Sequence, residues 1–133
     1  MVSELRLPVA ADTDVIAARQ QGKQLAAECG FSVGDQTVIA VAISEVARNI
    51  VRYAQRGEIV LRTTNHSNRT GIVVVARDQG PGIGDITMAM QDGYSTSGGL
   101  GLGLPGARRL MDDFEIESEV GKGTTVTMKK WRM

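Results

Sequence analysis

Two strand pairs, one mid-chain and one at the end, set the tightest limit on what this sequence can fold into. EIVLRTT (58–64) and GIVVVARD (71–78) are rich in β-branched residues and are joined by the polar NHSNRT, which reads as a hairpin loop. FEIESEV (114–120) and TTVTMKKW (124–131) repeat the arrangement around the tight turn GKG. Hairpins pair antiparallel neighbours, whereas alternating parallel units need a crossover between strands. The remaining segments must therefore pack onto a mainly antiparallel sheet.

Those segments are one short strand and three helices. Ser3 to Val9 alternates polar and apolar, and Pro8 favours an edge position. Asp12 or Thr13 can cap the helical stretch DVIAARQQGKQLAAECG, where Val15, Ile16, Leu25 and Ala26 recur at near-helical spacing, Gly22 is a weak point and Gly30 a left-handed stop. From Val33 to about Gln55, Ile39, Ile43, Val46, Ile50 and Tyr53 share a narrow sector, which reads as core. A third helix runs from about Leu102 to Phe114, with Pro105 in its first turn and Leu104, Ala107, Leu110, Met111 and Phe114 as its apolar side. Between Asp78 and Gly101 the chain is glycine-rich and aperiodic, apart from a short helix expected between Asp85 and Asp92. The expected fold class is α+β, a two-layer α/β sandwich with a mixed, mainly antiparallel sheet and helices on one face. A length of 133 residues suits one domain, residues 1–133, that buries roughly 65–70% of its unfolded surface.

Bulk properties narrow the function. Fifteen Lys and Arg balance fifteen Asp and Glu, so no long-range field gathers nucleic acid or an anionic membrane, and an anion site must be local. No uncharged stretch reaches bilayer-spanning length, and MVSELRLPVA lacks a basic-then-apolar signal pattern, so a cytoplasmic location is expected. One cysteine, Cys29, and one histidine, His66, exclude an internal disulfide and a zinc cluster. Cys29 reads as a small buried hydrophobe among helix-forming residues.

The glycines of GGLGLGLPG (98–106) match G-x-G-x-x-G, the spacing of a dinucleotide fingerprint. That fingerprint must follow a strand directly, and here the polar, turn-forming DGYSTSGG precedes it. A P-loop is absent because no G-x-x-x-x-G-K-[ST] occurs, and a protein-kinase fold of the H-R-D type lacks its parts. What survives is the shared physics: small residues let backbone N–H groups approach an anion, and a helix N-terminus adds a favourable dipole.

Three other stretches complete a pattern. Glu45 and Asn49 are four apart on one helix face, with Arg48 and Arg52 nearby. Asp78 ends an apolar strand and opens D-Q-G-P-G-I-G, in which Gly80, Pro81 and Gly82 force a turn. GKGTT sets Thr124 just past a strand-joining turn. In this order, E-x-x-x-N, D-x-G-x-G, a glycine-rich lid and G-x-G-T resemble the GHKL ATPase and kinase superfamily with its Bergerat ATP-binding fold. Within it, AARQ, AISEVARNI, DQGPGI, DGYSTSGGLGLGLPG, RRLMD and KW are similar to the small serine/threonine switch kinases of bacterial partner-switching (stressosome) systems.

The resemblance implies ATP and Mg²⁺ as cofactors. It implies Asp78 as the acceptor of the adenine amine, with Gly80 and Gly82 giving access to the ring and Thr124 at the same edge, directly or through water. Asn49 would offer its carbonyl oxygen to Mg²⁺. Backbone N–H groups around Gly99, Gly101 and Gly103 would hold the phosphates, with hydroxyl contacts from Ser95, Thr96 and Ser97. Glu45 would be the base for an incoming serine or threonine hydroxyl, while Arg48 and Arg52 read equally as phosphate or substrate contacts and as solvated surface. Implied partners are STAS-domain antagonists of the RsbS/RsbR type, as substrates and sequestering proteins, and a PP2C-type phosphatase activated downstream. The alternative is a related anti-sigma factor that sequesters a sigma subunit. A histidine-kinase catalytic domain is disfavoured, because no stretch is left over for a phosphoacceptor helix.

Overall fold

In the computed structural model, residues 4–80 and 103–132 are described. Five strands form one sheet: β1 (Glu4–Val9), β2 (Gly57–His66), β3 (Arg69–Asp78), β4 (Asp113–Glu119) and β5 (Gly123–Trp131), in the order β1-β2-β3-β5-β4. Every neighbouring pair is antiparallel, so among the described residues the sheet is not mixed. Pro8 does lie on an edge strand, where its missing N–H costs no ladder bond. Three helices, α1 (Asp12–Glu28), α2 (Val33–Tyr53) and α3 (Gly103–Leu110), pack on one face of the sheet.

The core follows from the two periodicities. Alternation along the strands sends Ile59, Leu61, Ile72, Val74, Ala76, Val126 and Met128 toward the helices. There they meet Ile39, Ile43, Val46 and Ile50 of α2, all at most 2% exposed. The intervening residues Val60, Val73 and Val75 form a separate small cluster on the other face. Leu104, Ala107 and Met111 bring α3 into the same core, with Leu110 and Phe114 partly buried against it. Tyr53 and Ile16, expected in the core stripes, are each 48% exposed: Tyr53 is the last residue of α2, and Ile16 lies beside the buried α1 stripe of Val15, Ala18, Gly22 and Ala26. Cys29 is half-buried against the core. Burial and the neighbouring Glu28 raise its thiol pKa, and Arg132 pulls in the opposite direction.

Element ends depart from expectation for local reasons. The N-cap of α1 is Ala11, not Asp12 or Thr13. Asp14 Oδ2 accepts the N–H groups of Ala10 and Ala11 at 2.8 and 3.1 Å and so fixes the entry. Gly30 does stop this helix at φ +84°, with the Phe31 N–H returning to the Ala26 carbonyl. NHSNRT is mostly strand: His66 pairs with Arg69, and only Ser67 and Asn68 turn, both at positive φ. α3 stops at Leu110 rather than Phe114 because β5 captures the chain. The Asp112 N–H donates to the Lys129 carbonyl, and Asp112 Oδ2 accepts the Trp131 N–H. Gly22 is buried in α1, and a Cβ there would collide with Ile43, so the residue expected to weaken α1 lets the two helices approach.

Candidate active site

Asp78 is the last residue of the central strand β3, paired with Gly57 on one side and Thr124 on the other. Alternation from Ile72, Val74 and Ala76 turns it toward the helices, at the mouth of the core rather than within it. Its Oδ1 accepts two backbone N–H groups, from Gly80 at 2.9 Å and Thr124 at 3.3 Å. The first closes the turn expected from D-Q-G, and the second ties that turn to β5. Among the described residues Oδ2 receives no hydrogen bond, which leaves one carboxylate oxygen, held in a fixed plane, for a ligand donor.

Thr124 is 6% exposed and acts on Asp78 through its backbone. The Ser118 hydroxyl lies 3.2 Å from the Gly123 carbonyl and 2.8 Å from the Thr124 hydroxyl, and so links β4 to the Thr124 side chain. Ser118, missed in the sequence, stands opposite Thr124 in the β4–β5 register. Counting pairs outward from the GKG turn would have found it.

Gly123 explains the second glycine of G-x-G-T. It has φ +108°, and a Cβ would strike the Asp78 carbonyl and lie 2.8 Å from the Gln79 Cα. Gly80 is equally confined, since its Cβ would lie 2.6 Å from the Ala54 Cβ. The end of α2 therefore rests on the turn that follows Asp78.

Glu45 and Asn49 lie one turn apart on α2. Glu45 is 8% exposed, with its two oxygens held separately: Oε2 by Arg48 Nη1 at 3.2 Å and Oε1 by the Gly103 N–H at 3.1 Å. Arg48 is thus not simply solvated surface, and Gly103, expected to hold phosphate, gives its N–H to Glu45 in this structure. The α3 N-terminus is in this way bonded to α2, beside a carboxylate its dipole favours. Asn49 is half-buried, and among the described residues its carboxamide has no hydrogen-bond partner. Such an oxygen suits Mg²⁺, which takes few protein ligands and keeps waters and phosphate oxygens. Gly82, Gly99, Gly101, Ser95, Thr96, Ser97 and the helix expected at 85–92 lie outside the described residues.

Residues 9–130 match the model of the histidine kinase-like ATPase domain. The chain belongs to the histidine kinase-like ATPase family. Membership carries ATP binding. The serine/threonine-protein kinase RsbT of Bacillus subtilis is 51% identical over 118 residues, 89% of each chain. An anti-sigma F factor of Caldanaerobacter subterraneus is more distant, at 32% over 120 residues, 86% of this chain and 82% of that one. This family member is accordingly an RsbT-like serine/threonine protein kinase of a partner-switching pathway. The fold matches part of the structure of the RsbU and RsbW domains of Rv1364c from Mycobacterium tuberculosis, at TM-score 0.67 and 22% identity over 99% of this chain and 34% of that one. It is also that of the mycobacterial sensor histidine kinase MprB, at TM-score 0.58 and 18% identity over 96% of this chain and 98% of that one. Among the described residues no helix is long and apolar enough to cross a membrane.

Proposed function

We propose that this kinase transfers the γ-phosphate of ATP to a serine or threonine of STAS-domain antagonist proteins, which hold it until they are phosphorylated, and that the freed kinase then activates a PP2C-type phosphatase. The observation that carries the catalytic half is the Glu45 carboxylate, nearly buried one turn from Asn49 and held at both oxygens. Its similarity to RsbT supports the partner half.

Each residue has a task that its setting suits. Asp78 Oδ2 accepts the exocyclic amine of adenine and so excludes guanine, which presents a carbonyl there. Thr124 and Gly80 hold the other oxygen and fix the direction of that bond. Asn49 ligates Mg²⁺, whose charge offsets that of the phosphates. Glu45 retains lone pairs beyond the two bonds it accepts, and through one of them it takes the proton of the attacking hydroxyl. Positioning supplies most of the rate, because phosphoryl transfer asks for little covalent chemistry from the protein.

Glu45→Gln should bind ATP within about twofold of the parent and lose transfer by about 100-fold or more, the range of a lost general base. Asn49→Ala should lose the Mg²⁺-dependent part of ATP binding. Titration of a fluorescent ATP analogue with and without Mg²⁺, beside a single-turnover transfer assay, reads both. Full-rate transfer by the Glu45 variant would refute the base assignment.

A further inference from the structure

We propose that Arg48 is a positioning residue for phosphotransfer, which acts by holding the Glu45 carboxylate and touches neither nucleotide nor protein substrate. The inference rests on Glu45 being the base.

Three observations carry it. Arg48 lies three residues after Glu45, so the helix itself places its guanidinium beside the carboxylate, 3.2 Å from Oε2. Burial is unequal: the Glu45 side chain is 9% exposed and that of Arg48 is 34%. A pair exposed at both ends contributes little, but a carboxylate this dry needs a partner, or it is left buried and poorly bonded. Finally, Arg48 and the Gly103 N–H take different oxygens. One donor would leave the carboxylate free to rotate about its last torsion, which is soft for a glutamate. Two donors, from α2 itself and from the start of α3, fix its plane and leave the remaining lone pairs aimed for a proton.

A base that loses this hold should still bind its substrates but seldom reach the attacking geometry, and small misplacements of reacting groups cost rate steeply. The test is a double-mutant cycle of Arg48→Met and Arg48→Lys, each alone and with Glu45→Gln, read by single-turnover transfer from ATP to a STAS-domain acceptor. Arg48→Met is expected to lower the transfer rate about 10- to 100-fold with the acceptor KM and ATP Kd within about twofold. Arg48→Lys, which keeps a charge without the planar fork, should fall between. In the Glu45→Gln background neither change should cost anything further, since there is no carboxylate to position.

An equal loss in both backgrounds, or a loss confined to the acceptor KM, would overturn the proposal in favour of a direct substrate contact. Unchanged transfer by Arg48→Met would overturn it as well. Failure of the underlying reading is distinct, because there Glu45→Gln alone would transfer at the parental rate. Should Arg48→Met melt early, Arg48→Lys in the two backgrounds carries the same comparison.

Discussion

Asp78 shows how far a single side chain could be read from the sequence. Its place after an apolar strand and before Gly80 was legible, because alternation and turn chemistry are local. The division of labour between its oxygens was not, since the second donor, the Thr124 N–H, lies 46 residues away and depends on strand order. That division gives a sharp expectation for Asp78→Asn. Oδ1 keeps its two backbone donors, so an N–H₂ replaces the free oxygen and faces the adenine amine, donor to donor. ATP affinity should fall about 10-fold or more, as when a buried polar partner is lost. The preference for ATP over GTP should shrink, because guanine offers an acceptor at that position; competition binding with the two nucleotides measures it. Cys29 yields a second prediction. Its raised thiol pKa leaves less thiolate near pH 8 than a free cysteine has, so iodoacetamide should label the folded protein more slowly than the urea-unfolded chain. The gap should narrow as pH climbs above the folded value. Equal rates at pH 8 would count against the raised pKa.

Helices and strands were legible to the extent that their periods are strong. The α2 stripe of Ile39, Ile43, Val46 and Ile50 and the apolar run of β3 declared themselves through spacing alone. The segment NHSNRT was misread because its residues are polar, yet the exposed Asn65, His66 and Arg69 and the half-buried Thr70 are rungs of a ladder that continues to a two-residue turn. The end of α3 was misplaced because its stop is tertiary: Lys130 Nζ donates to the Leu110 carbonyl while β5 takes Asp112. The β4–β5 turn carries the element-scale prediction. Gly123→Ala forces both an unfavourable φ and a contact with the Asp78 carbonyl, each costing of order 1–3 kcal/mol. The variant should melt roughly 10 °C lower. It should also bind ATP more weakly, as the clash pushes on the base-recognition strand. A melting temperature unchanged from the parent would mean that β5 shifts freely.

At the scale of the molecule, the described residues form an antiparallel sheet with its helices on one face, which joins Asp78 to Thr124 and links α2 both to the turn after Asp78 and to the start of α3. The Glu45–Gly103 bond ties α2 to α3, and the contact of Ala54 with Gly80 seats α2 on the turn after β3. The order of the motifs was readable in the chain, and their convergence was not, because it depends on the crossover that places β5 between β3 and β4. The other end of the sheet holds the lone tryptophan, Trp131, whose Nε1–H bonds Asp113 and whose ring lies under Arg69. The proposed activity is phosphoryl transfer to STAS-domain antagonists. Its most direct test is incubation of the purified chain with γ-labelled ATP, Mg²⁺ and a STAS-domain protein, followed by phosphoamino-acid analysis of the acceptor. Label on serine or threonine of the acceptor, absent with Glu45→Gln, is the predicted result; an unlabelled acceptor together with tight, ATP-dependent capture of a sigma subunit would contradict it.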